Sequence, residues 1–156
     1  MIFIMILLTG CSMNTLEVEY LSSFKAEKMF DNYSPTISLN KFWDNRPEKN
    51  YIGKGYGTYG KERSYEMIKE PTEIIENALV MQLENVGFEV VKVTGWNLDS
   101  DDIPSYIDSD LIMGGKLQAF WVISQLGMLT KMEIDSTVSF DLIIADVDNN
   151  KVIWAG

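Results

Sequence analysis

The spacing of hydrophobic and polar positions changes several times along the chain, and each change marks an element. Residues 1–8 form an unbroken apolar run, MIFIMILL, which passes through Thr9 and Gly10 to Cys11. Eight residues are too few for a hydrocarbon core, which takes about 20 in helical form. The run instead has the form of a signal-peptide h-region ending in small residues, so residues 1–10 are expected to be removed. It lacks the basic residues that should precede it, which we read as a start codon placed too late. Residues 12–34 show no clean period and read as a tether with room for an edge strand at its end.

Ser34-Pro35 marks a boundary, and Thr36 to Trp43 then alternates as a strand should. Ile37, Leu39 and Lys41 fall on one face; Ser38, Asn40 and Phe42 fall on the other. Asp44-Asn45-Arg46-Pro47 follows as a turn, because Asp and Asn bond their own backbone and Pro stops a ladder. Residues 48–66, EKNYIGKGYGTYGKERSYE, carry four glycines and four tyrosines and predict a long loop or a loose hairpin. A helix over about 72–86 comes next, with Pro71 at its start and Gly87 at its end. Ile74, Ile75, Ala78, Leu79, Leu83 and Val86 make its stripe, which only Gln82 interrupts.

Phe88 to Thr94 is rich in β-branched residues and predicts a strand, so strands flank the helix as in a β-α-β unit. The acidic segment 97–110 has room for one short helical turn. Leu111 to Ile123 predicts a long apolar strand, in which Gly114-Gly115 points to a bulge or a close packing approach. After a reversal over Gln125 to Lys131, the run Glu133 to Asp146 alternates again. It places Ile134, Val138, Phe140, Leu142 and Ile144 on one face of a half-exposed antiparallel strand. Asp148-Asn149-Asn150 turns the chain into a last strand at Val152-Ile153-Trp154. These elements predict an α+β fold of two layers: one main amphipathic helix on a mixed, mostly antiparallel sheet that ends in a C-terminal β-meander. Residues 35–156 are expected to form that single domain, with residues 11–34 as its N-terminal tether.

Composition narrows the chemistry. The chain has 156 residues, no histidine, one cysteine and a formal net charge of −10. Without histidine there is no ordinary general base, no Cys/His pair and no His-containing zinc site, and a single cysteine makes no internal disulfide. An anionic surface repels phosphate backbones, so nucleic acid is not an expected partner. Gly55-Tyr56-Gly57-Thr58-Tyr59-Gly60 matches the dinucleotide string G-x-G-x-x-G but follows a turn, and Pro71 delays the helix that should open from it. Asp146 to Asn150 resembles half a calcium loop, yet Lys151 stands where the glycine belongs. Asp99, Asp101, Asp102, Asp108 and Asp110 read as a solvated acidic loop. Asp135 and Asp141 share a strand face but lie roughly 20 Å apart, too far for two-carboxylate chemistry. No catalytic residue, metal ligand or cofactor site is therefore expected.

Charge is unevenly spread. Residues 41–69 hold seven Lys/Arg and four Asp/Glu, a local net of +3 within an acidic chain. Tyrosine offers large amphipathic contact area at low entropy cost, so this segment is the candidate contact surface, with Lys54, Tyr56, Tyr59, Lys61 and Arg63 as its residues. An anionic headgroup, peptidoglycan or an acidic envelope protein fits such a surface.

Leu8-Thr9-Gly10-Cys11 is similar to a bacterial lipobox, whose cysteine thiol takes diacylglycerol and becomes the first mature residue. With FWDNRP, YIG before a glycine loop, ALVMQLENVGFEVV, SDLIMGGKLQAF and KVIW, the chain resembles the YajG-like bacterial lipoproteins over roughly residues 8–156. The resemblance implies a lipid-anchored envelope lipoprotein without catalysis, acylated (palmitate among the acyl chains) at Cys11. Its membrane contact is through that lipid, with an envelope protein or peptidoglycan as partner. Ser12 after the cysteine implies the outer membrane, inner leaflet, facing the periplasm. An auxiliary subunit of a transport or lipid-export complex is the neighbouring reading, and a small periplasmic hydrolase or metal-dependent enzyme is the alternative from another class.

Overall fold

The computed structural model describes residues 15–16, 18, 27–30, 33–57, 60–126 and 131–156. The domain is α+β, with one α-helix among the described residues lying on a curled mixed sheet. Its strands are β1 (Thr15–Leu16), β2 (Thr36–Asn40), β3 (Trp43–Asp44), β4 (Gly53–Tyr56), β5 (Glu62–Met67), β6 (Glu89–Val93), β7 (Leu111–Leu126), β8 (Met132–Asp146) and β9 (Lys151–Ala155). The helix α1 spans Pro71–Val86, between β5 and β6. Among the described residues no helix is long and apolar enough to cross a membrane.

Strand β7 organises the sheet. One of its edges is shared in succession by three short parallel partners: β2 at Leu111–Met113, β3 at Lys116–Leu117 and β4 at Val122–Gln125. The other edge pairs antiparallel with β8 along its full length, and β9 returns on β8 to complete the meander. β6 closes one side as a parallel partner of β2, so the chain makes a β-α-β crossover with β3, β4 and β5 inserted before the helix. At the opposite side β5 pairs with β4, and β1, within the expected tether, adds an edge strand parallel to β5.

The helix forms where its stripe predicts. Pro71 occupies the first turn, where the missing N–H costs nothing, and Gly87 ends it at φ 108°, donating to the Glu84 and Leu83 carbonyls. Its inner face and the adjacent sheet face bury Ile37, Leu39, Phe42, Ile52, Ile75, Met113, Leu117 and Phe120 together. A smaller cluster on the far sheet face packs Trp96 and Ile107, from the segment after β6, onto Ile112 and Ala145. That segment contains the expected short turn, a single 3-10 turn at Ser100–Asp102.

Two expectations need correction, and one pair of alternatives is decided. The strand read over 36–43 stops at Asn40, and Phe42 joins Ile37 and Leu39 on the helix side instead of pointing the other way. Its N–H leaves the ladder and donates to the buried Glu76 carboxylate of α1 at 2.9 Å, so the helix takes over the role of a strand partner. The glycine pair is a close approach and not the bulge, which falls between Leu117 and Ala119. A Cβ at Gly114 would meet the Leu98 methyl at 2.6 Å, and one at Gly115 would meet the Phe42 ring at 2.6 Å. The two glycines thus admit packing from opposite faces of one strand. Finally, the outer half of β8 is not half-buried: every residue from Met132 to Asp141 is exposed.

Candidate functional site

Of the two expected forms of the tyrosine- and glycine-rich segment, a long loop or a loose hairpin, the hairpin forms, as the paired ladder of β4 and β5. Gly53 lies opposite Tyr65, Lys54 opposite Ser64, Gly55 opposite Arg63 and Tyr56 opposite Glu62. Opposed residues of an antiparallel pair share a face, so the hairpin is two-sided. Lys54 and Tyr56 stand with Glu62 and Ser64 on one side; Arg63 and Tyr65 stand on the other, over the two glycines.

The glycines explain where Tyr65 goes. A Cβ on Gly55 would collide with the Tyr65 hydroxyl, so the ring can cross β4 only because residue 55 has no side chain. The hydroxyl then reaches β7 and shares a 2.6 Å hydrogen bond with the Ser124 hydroxyl, at a residue that is itself buried. In front of this bridge lies an open groove of about 380 Å³ lined by Tyr56, Lys61, Arg63, Tyr65, Leu126 and Met132 among others. One wall is basic and aromatic; the other, from the ends of β7 and β8, is aliphatic.

Of the five contact candidates, Lys61 and Arg63 line the groove beside Tyr65, and Tyr56, whose position in the ladder puts it on the Lys54 face, borders it at the end of β4. Lys54 sits on the other face of the hairpin, and its ammonium is 2.6 Å from the Glu62 carboxylate. That hydrogen bond favours the charged amine and holds its pKa above the ordinary lysine value. Tyr59 and Cys11 lie outside the described residues. The contributions of Ser124, Leu126 and Met132 are not readable in the segment itself, because they come from strands 58 residues or more beyond its end at Glu66.

Asp110, Asp99 and Asp146 serve structure. The Asp110 carboxylate accepts from the Thr36 N–H at 2.6 Å, the Thr36 hydroxyl at 2.9 Å and the Tyr33 hydroxyl at 3.0 Å, and these bonds hold its pKa below the usual carboxylate range. Asp99 caps the 3-10 turn through the Asp101 N–H. Asp146 accepts from both the side chain and the backbone of Asn149, which fixes the β8–β9 turn. Among the described residues no three His, Cys, Asp or Glu side chains gather as a metal-ion set.

No protein-family model matches the chain, and no curated protein matches it. Solved structures resemble it in fold. A Xanthomonas campestris protein of family DUF330 aligns at 13% identity with a TM-score of 0.49, over 80% of this chain and 64% of its own, so this chain spans less than two thirds of its length. The lipoprotein GNA1162 from Neisseria meningitidis aligns at 14% identity with a TM-score of 0.47, over 78% of each chain. At such identities and scores neither likeness assigns this chain a family or an activity.

Proposed function

We propose that the protein is a lipid-anchored envelope lipoprotein of the YajG-like kind, acting as a tethered interaction or structural component and not as a catalyst. The observation that carries this reading is the apolar run 1–8 passing through Leu8-Thr9-Gly10 to Cys11, the sole cysteine of the chain. Acyl chains on that thiol anchor at about 0.8 kcal/mol per buried methylene, and more than one chain makes the anchor durable. Confinement to a surface raises the effective concentration of any partner in the same membrane. The groove of Lys61, Arg63 and Tyr65, bordered by Tyr56, supplies a basic, aromatic contact surface for an acidic envelope protein or for peptidoglycan.

The test is expression in a two-membrane bacterium with native upstream codons retained, followed by membrane fractionation and intact mass of wild type and Cys11→Ala. Wild type is expected in the outer-membrane fraction carrying diacylglycerol-derived mass, with Cys11→Ala unmodified and released. Wild type and variant both soluble and unmodified would overturn the reading.

A further inference from the structure

Strand β1 fixes where the anchored segment meets the domain. Thr15 and Leu16 pair with Glu66 and Met67 in parallel, so the chain enters β1 from the end of the sheet at which β5 begins. β5 begins at Glu62, just after the turn of the β4–β5 hairpin. Cys11 is four residues before Thr15, a reach of at most about 14 Å. Four steps back along β5 from Glu66 end at Glu62, after roughly 13 Å. An acylated Cys11 is therefore confined to the hairpin's edge of the sheet.

Charge sorts the two ends of that sheet. The hairpin end carries Lys61 and Arg63, both exposed and neither with an ion-pair partner among the described residues, whereas Lys54 is held by Glu62. The far end, where Leu111 starts β7 beside Asp146, presents Asp108, Asp110, Asp146 and Asp148. With a local net of +3 over residues 41–69 in a chain of −10, the remaining residues carry −13. An anionic membrane surface thus repels most of the molecule and attracts the hairpin.

We infer that the β4–β5 hairpin rests with Lys61 and Arg63 in the anionic headgroup layer of the membrane that holds the Cys11 lipid, the acidic end of the sheet turned away from it. This rests on the lipid-anchor reading, and for these two cations it selects headgroups over an acidic protein or peptidoglycan. Surface attraction fades over a Debye length, about 8–10 Å, and a four-residue tether keeps the hairpin close enough to feel it. Two cations at about fivefold each favour this orientation roughly 25-fold.

Acylation occupies the one native thiol, so a single introduced cysteine takes a fluorophore uniquely. A Cβ at Gly57 would meet only the Lys61 carbonyl, at an ordinary 3.7 Å, so Gly57→Cys marks the hairpin end without strain. Asp148→Cys marks the far end. The acylated full chain is bound to vesicles of one-third phosphatidylglycerol in phosphatidylcholine carrying a headgroup nitroxide. Quenching is expected to be at least about threefold stronger at position 57 than at 148, and to fall toward equality in phosphatidylcholine alone and in the double variant Lys61→Gln, Arg63→Gln. Flotation with the vesicles, which the lipid supplies, is expected to stay unchanged. Salt at about 1 M should act as the double variant does, and decides the matter if that variant does not fold. Flotation with equal quenching at both sites overturns this inference alone and returns Lys61 and Arg63 to an acidic partner. A preference for position 57 that survives both salt and the double variant overturns it too. Wild type that carries no lipid and does not float overturns the lipid-anchor reading and this inference together.

Discussion

Asn40 and Trp96 exchange hydrogen bonds across the far face of the sheet: the Trp96 N–H donates to Asn40 Oδ1 at 3.2 Å, and Asn40 Nδ2 donates to the Trp96 carbonyl at 3.1 Å. Each residue is only 1% exposed. One side-chain amide thus replaces a strand partner for the segment after β6 and seats the indole against Gly114. Asn40→Ala leaves a buried N–H and C=O unsatisfied and is expected to cost about 2–4 kcal/mol, whereas Asn40→Asp, which accepts but does not donate, still fails to satisfy the carbonyl. Denaturant midpoints of the two variants check this, and equal stability with wild type would refute it.

The glycine pair predicts an order of severity. At Gly115 a Cβ meets the Asp141 carbonyl of the neighbouring strand as well as the Phe42 ring, so backbone must move; at Gly114 the nearest atom is the end of the Leu98 side chain. Gly115→Ala is expected to destabilise by more than Gly114→Ala, the latter by about 1–3 kcal/mol. Adding Leu98→Ala to Gly114→Ala should give a combined loss smaller than the sum, which a double-mutant cycle in urea would measure.

Asp44 and Arg46 form a fork, with Arg46 Nε at 2.9 Å and Nη2 at 2.8 Å from the two carboxylate oxygens, while the guanidinium is nearly fully buried. The Arg46 hydrogen bonds hold the Asp44 pKa below its ordinary value. A carboxyl whose pKa is depressed on folding binds fewer protons in the folded state. Its contribution is therefore complete above the unfolded value near ~3.9 and is lost as pH falls through the lower folded one. Arg46→Gln should be destabilised by about 2–4 kcal/mol at neutral pH, with the gap to wild type narrowing below pH ~4. A gap that stays constant between pH 7 and pH 2 would contradict this.

Tyr65→Phe removes the bond to Ser124 from a part-buried position and should cost about 1 kcal/mol, as should Ser124→Ala. The two losses are expected to couple in a double-mutant cycle by a similar amount, and simple additivity would show that the bridge contributes nothing.

The helix and the last two strands are legible in the sequence because their signals are local: Pro71, the stripe from Ile74 to Val86 and Gly87 are adjacent, and Glu133 to Asp146 alternates without interruption. Phe42 departs from the alternation because its position depends on Glu76, a helix carboxylate buried against a strand end. Arg46 reads as a turn residue, but only the distant strand β7 makes its site an interior one. The groove was half legible: Tyr56, Lys61 and Arg63 announce themselves by charge and ring, while the aliphatic wall from Leu126 and Met132 depends on strand pairing that no local pattern encodes. The exposure of Ile134, Val138 and Phe140 is the plainest case. Their alternation specifies a face to be covered, and alternation says nothing of what covers it.

The shared edge of β7 also bears on how fast this domain can assemble. The strands β2, β3 and β4 must wait for a partner 69 to 74 positions further along the chain, and three separate loops close onto that one strand. Each closure loses entropy before its ladder returns any stabilisation. Such non-local pairing places refolding in the millisecond-to-second range and not the microseconds of helical bundles, with β7 and β8 formed before the strands that precede them in sequence.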